Sequence, residues 1–78
     1  MSLRQLETLV AIADAGSFHA AADRLGVTQS AVSMQMKALE DDLQTSLFDR
    51  SRRPPGLRET ADPLVTQARQ ILRQYEGF

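Results

Sequence analysis

Two amphipathic helical patterns separated by only two residues, Gly26 and Val27, most restrict what this chain can become. On the first side, Ser17 reads as a cap and Phe18, Ala21, Ala22 and Leu25 form an apolar stripe with Gly26 as a left-handed terminus. On the second side, Thr28 reads as the next cap, and Val32, Met36, Leu39 and Leu43 recur at helical spacing. A link this short cannot lay the helices side by side as a relaxed hairpin and instead throws them into a helix-turn-helix crossing. Val27 before the cap and Val32 on the fourth helical position form a hydrophobic staple, which fixes the angle at which the second helix departs. Ala20, Ala21 and Ala22 permit the close approach that such a crossing needs.

The flanking segments complete a small domain. Ser2 and Gln5 have the spacing of a capping box, and Leu6, Leu9, Val10 and Ala13 make an apolar face ending at Gly16. Past the acidic group Glu40, Asp41 and Asp42, the chain reads Leu47-Phe48-Asp49-Arg50, a Pro/Gly-containing turn, then Leu57-Arg58, the pattern of a short hairpin. A last amphipathic helix, about 60–75, carries Leu64, Ala68, Ile71, Leu72 and Tyr75 on one stripe. The fold class is therefore mainly α: a winged helix-turn-helix of three helices plus a short two-stranded wing over 1–58, then a long linker helix over 59–78.

Seventy-eight residues allow one core and exclude two. The absence of cysteine rules out disulfides and thiolate metal sites, a single histidine, His19, rules out a His-rich metal site or a triad around a second imidazole, and no phosphate-binding glycine loop is present. Neither an enzyme nor a cofactor is expected. No apolar run approaches bilayer length and no leader pattern opens the chain, so a cytoplasmic location without a membrane partner is expected.

The net charge of −1 argues against nucleic acid, yet its distribution argues for it. Acids fill 38–49, whereas Arg50, Arg52, Arg53 and Arg58 crowd 50–58. The second helix of the motif, about 28–42, offers Gln29, Ser30, Ser33, Met34 and Lys37 opposite its apolar stripe, with no carboxylate before Glu40. Gln29 can bond adenine bidentately, Ser30 and Ser33 can meet base edges or phosphates, and Met34 can touch a thymine methyl. Thr28 is first a cap and second a phosphate ligand. Arg50, Arg52 and Arg53 are candidates for backbone phosphates, held extended by Pro54-Pro55. His19 reads as a solvent-facing polar residue. A helical protein-interaction module is the competing reading, favoured by the low pI.

The ordered string Leu3-Arg4-Gln5-Leu6, Ala15-Gly16-Ser17-Phe18, Ala21-Ala22, Leu25, Val27-Thr28-Gln29-Ser30-Ala31-Val32-Ser33, Gln35, Leu39-Glu40 and Leu47-Phe48-Asp49-Arg50 resembles the N-terminal domain of LysR-type transcriptional regulators. The resemblance implies double-stranded DNA as partner, with the second motif helix in the major groove and the wing on backbone or minor groove. It also implies a homodimer through the linker helix, a tetramer in an intact regulator, and a small-molecule effector bound by a C-terminal domain absent from this sequence. The chain departs from the family pattern at Met34, where arginine is usual, at Gln44, where glycine is usual, and at Leu57-Arg58-Glu59-Thr60-Ala61. A left-handed Gln44 would cost about 1 kcal/mol. With the usual threonine cap missing, Thr60 is expected to cap a linker helix that starts about two residues late.

Overall fold

The computed structural model describes residues 1–77. Three helices come first, α1 (Leu3–Ala15), α2 (Phe18–Leu25) and α3 (Gln29–Leu43). A two-stranded antiparallel wing, β1 (Phe48–Asp49) and β2 (Gly56–Leu57), then precedes a 3-10 turn (Glu59–Ala61) and α4 (Asp62–Glu76). Phe78, the last residue of the expected linker segment, lies outside the described residues.

Local chemistry sets the ends of the first three helices. Ser2 Oγ accepts from Gln5 N–H at 3.2 Å while Gln5 Oε1 accepts from Ser2 N–H at 2.9 Å, closing the capping box. Ser17 Oγ accepts from Ala20 N–H at 3.0 Å and Thr28 Oγ1 from Ala31 N–H at 3.1 Å. Gly16 and Gly26 end α1 and α2 with φ of 91° and 70°, backbone that a side chain would strain. Gln44 adopts the same region at φ 52° despite its Cβ, and its own Nε2 donates to the Asp41 carbonyl at 2.8 Å. The strain anticipated from the missing glycine is thus present and partly offset by a bond that glycine cannot make.

Helix α1 lies at the centre and packs against α2, α3 and α4. Leu9, Ile12, Ala21, Val32, Met36 and Leu39 are buried between the helices, and Leu47 and Phe48 close the core from the wing side. Phe18 at the start of α2 meets the Phe48 ring edge to face at 4.9 Å between centroids, an orientation favoured by the ring quadrupoles. Thr8, a polar residue inside the α1 face, is 2% exposed and bonds the Arg4 carbonyl and the Gln35 amide, so it ties α1 to α3.

Three expectations need correction. Leu25, assigned to the buried stripe of α2, is 37% exposed at the last position of that helix, beside the turn at Gly26. Thr60 does not cap α4. The chain enters that helix through the 3-10 turn, with Ala61 already in the right-handed region, so carbonyls of the turn serve the first donors and Pro63 has none to serve. Helix α4 also sinks its first half into the shared core through Val65 and Ala68, the former unmarked by the sequence pattern.

Candidate nucleic-acid interface

Helix α3 separates its two faces cleanly. Val32, Met36 and Leu39 are each 0% exposed, whereas Gln29, Ser30, Met34 and Lys37 face solvent and Ser33 is half-buried. The anticipated set thus shares one side of one helix, starting at its N-terminus, where unpaired N–H groups and the helix dipole favour negative charge. There is no acidic residue in the first turn to compete. Thr28 is engaged as the cap, and Met34 stands out at 72% exposure.

The wing follows from pairing of Phe48 with Leu57 and Asp49 with Gly56. Asp49 accepts from the Ser51 N–H at 3.0 Å and from its hydroxyl at 2.6 Å, which starts the turn and holds the Asp49 carboxyl below its ordinary pKa. At the other end, the Arg58 N–H donates to the Leu47 carbonyl at 2.9 Å and its Nε to Ser46 Oγ at 3.2 Å. Arg52 and Arg53 are exposed. Arg52, expected to extend outward, instead lies back over Gly56: a Cβ there would stand 2.8 Å from its Nη1, so only glycine leaves this seat open.

Arg50 differs from its two neighbours. Its guanidinium pairs with Glu40 on α3 and stands over the Phe48 ring, 5.9 Å from the centroid. The Glu40 side chain is only 11% exposed and also accepts from the Leu47 and Phe48 N–H groups at 2.8 and 3.3 Å. Burial pushes the Glu40 carboxyl up, but the hydrogen bonds from Arg50, Leu47 and Phe48 outweigh it and hold the group below the ordinary glutamate value. In the sequence Glu40 is simply one of the acidic group with Asp41 and Asp42 at the end of the helix. No local spacing signals a bond ten residues away, so its inward role was invisible.

The α4 stripe divides in two. Ala68 is buried in the chain's own core, Leu64 and Leu72 are half-buried against it, and Ile71 and Tyr75 are exposed at 40% and 64%. Leu64, Ile71, Leu43 and Met1 border an apolar groove of about 120 Å³ between α1, α3 and α4. Arg69 on the same helix forks onto Asp14 of α1, with N–O distances of 3.2 and 2.7 Å. This hydrogen bond lowers the Asp14 pKa against a smaller effect of desolvation. His19 is solvent-facing, with Nε2 3.6 Å from Asp23. Among the described residues no cluster of metal-ligating side chains occurs, and no helix is long and apolar enough to cross a membrane.

Residues 3–62 match the family described as bacterial regulatory helix-turn-helix protein, lysR family. An HTH-type transcriptional regulator encoded in the ibpB-leuC intergenic region of Azotobacter vinelandii is 43% identical over 76 residues, covering 97% of this chain and 53% of that protein. TfdT, an HTH-type transcriptional regulator of Cupriavidus pinatubonensis, is 39% identical over 72 residues, covering 92% of this chain and 32% of its own length. The chain therefore spans about half of one relative and about a third of the other. Among solved structures, a complex of the CbnR DBD with DNA superposes with a TM-score of 0.89 at 41% identity, covering 97% of this chain and 87% of that one. The BenM DBD bound to benA site 1 DNA superposes at 0.90 with 31% identity, covering 99% and 86%.

Proposed function

The chain belongs to the LysR family of bacterial regulatory helix-turn-helix proteins, and on that premise we propose that it is a sequence-specific DNA-binding domain of a transcriptional regulator. Residues 1–58 form the winged helix-turn-helix and 59–78 the linker and dimerisation segment. Helix α3 enters the major groove with Gln29, Ser30, Ser33, Met34 and Lys37, Arg52 and Arg53 meet phosphates or the minor groove, and Thr28 adds a phosphate contact beyond its cap. The observation that carries this reading is the exposed side of α3 from Gln29 to Lys37, free of carboxylates over that stretch and opposite three completely buried apolar side chains. A helix so anchored presents short hydroxyls and one amide on a rigid support, which is what base-edge recognition needs. Two such domains paired through Ile71, Tyr75 and the Leu64 groove on α4 would address successive turns of an inverted repeat. The DNA complexes formed by the CbnR and BenM domains support the same reading.

The test is a binding titration against a duplex selected from random sequence and each of its single-base variants. Gln29→Ala is expected to weaken binding by about 1–3 kcal/mol at one base pair per half-site and to leave nonspecific binding intact. Arg52→Ala and Arg53→Ala are expected to weaken all duplexes alike and to lower the salt slope by about one each. Association insensitive to salt would instead indicate a protein-interaction module.

A further inference from the structure

We propose that Glu40 is a positioning residue that sets the wing relative to the recognition face of α3, with Arg50 as its partner and not as a DNA ligand. The proposal rests on the DNA-binding reading above. Glu40 lies on the last turn of α3 and grips the departing chain at four points. Its carbonyl accepts from Thr45 N–H at 3.1 Å, its Oε2 from Leu47 N–H at 2.8 Å and Phe48 N–H at 3.3 Å, and its Oε1 from Arg50. One residue therefore holds the chain from 45 through 50, the whole path from recognition helix to first wing strand.

The tip beyond this path has no comparable tie to α3. The Asp49 carboxylate bonds Ser51, the Asp49 backbone pairs with Gly56, and Arg52 leans on Gly56, all within the wing. Where Arg52 and Arg53 stand relative to Gln29 and Ser30 is set at the base of the wing, where the Glu40 junction acts beside the buried Leu47 and Phe48. Arg50 has its charge opposed by a nearly buried carboxylate, so releasing it to a phosphate would strand Glu40 without its counter-ion. A glutamine in place of Glu40 would keep the shape yet set an NH2 group against N–H donors.

Electrostatics and positioning make opposite forecasts for Glu40→Gln. Removing a carboxylate from a DNA-binding domain strengthens attraction to phosphate. Losing the junction misplaces the wing and weakens binding. We expect Glu40→Gln to bind the selected duplex about tenfold more weakly, the loss of one charge-assisted hydrogen bond. In a double-mutant cycle, the joint Arg52→Ala, Arg53→Ala change is expected to lose much less affinity in the Glu40→Gln background than in the wild type. Arg50→Ala, which leaves the bonds to Leu47 and Phe48 intact, is expected to show the same coupling, and to leave the salt slope unchanged when it is added to the Arg52→Ala, Arg53→Ala background. It carries the test alone if Glu40→Gln fails to fold. Equal or tighter binding by Glu40→Gln, additive effects in the cycle, or a salt slope lowered by about one further unit when Arg50→Ala is added to the Arg52→Ala, Arg53→Ala background would each overturn the assignment. A wild-type chain without salt-dependent duplex binding would overturn the DNA reading, and the role of Glu40 with it.

Discussion

Helices α3 and α4 are both 15 residues long, yet they stand in opposite relation to the rest of the chain. The apolar stripe of α3, Val32, Met36 and Leu39, is covered by the domain itself, and the opposite side is polar apart from the exposed Met34. Helix α4 is anchored at its start by Val65 and Ala68 and at mid-length by the Arg69–Asp14 pair, while Ile71 and Tyr75 face solvent. A helix whose buried stripe is fully covered holds its opposite side rigidly toward solvent. One whose apolar stripe outruns its own core is set up to meet another protein surface, since uncovered aliphatic and aromatic area is the usual mark of an interface.

The largest expected effect tests the α3 side. Met36→Ala deletes a fully buried side chain and should destabilise folding by about 2–5 kcal/mol, whereas Ile71→Ala should stay within about 0.5 kcal/mol. Urea melts at concentrations low enough to keep the chain monomeric decide this; equal losses would erase the distinction. The α4 side is tested by Ile71→Glu together with Tyr75→Glu, which spares the half-buried Leu64. Sedimentation should show a wild-type dimer and a folded monomeric variant, and a wild type that stays monomeric at high micromolar concentration would show that α4 alone does not pair the chains.

The smallest effect concerns the pin holding α4 to α1. Because the folded Asp14 pKa is lowered from 3.8, its contribution is fully present above that value and disappears as pH falls through the folded pKa. Wild type should therefore outlast Asp14→Asn in thermal melts near neutrality, with the two converging in acid. A constant gap down to strongly acidic pH would mean that the Arg69 pairing does not stabilise the fold.

Much of this architecture is legible residue by residue. Ser2 with Gln5, Ser17 and Thr28 mark helix starts, Gly16 and Gly26 mark ends, and the Pro/Gly turn marks the wing, whereas the end at Gln44 is expected only from the family resemblance. The exposed polar side of α3 was legible too, because α3 keeps an unbroken helical period from Val32 to Leu39. Thr60 was misread because a serine- or threonine-type cap signal assumes an extended residue ahead of the helix, and the 3-10 turn supplies a helical one. Thr8 was missed because its apolar neighbours Leu6 and Leu9 fill the face that periodicity detects, while its hydroxyl is satisfied by Gln35 on another helix.

The sequence by itself determined the order and type of elements, the caps, the tight turn and the polar side of α3, because each depends on residues within about one helical turn of one another. Only the tertiary structure decided which charges are free and which apolar residues are covered. Glu40 and Arg50 are separated by nine intervening residues, Asp14 and Arg69 by far more, and the stripe on α4 is identical in period whether its own core or a second chain covers it. Charge pairing and burial depend on distance in space, which the chain acquires only when its helices have packed.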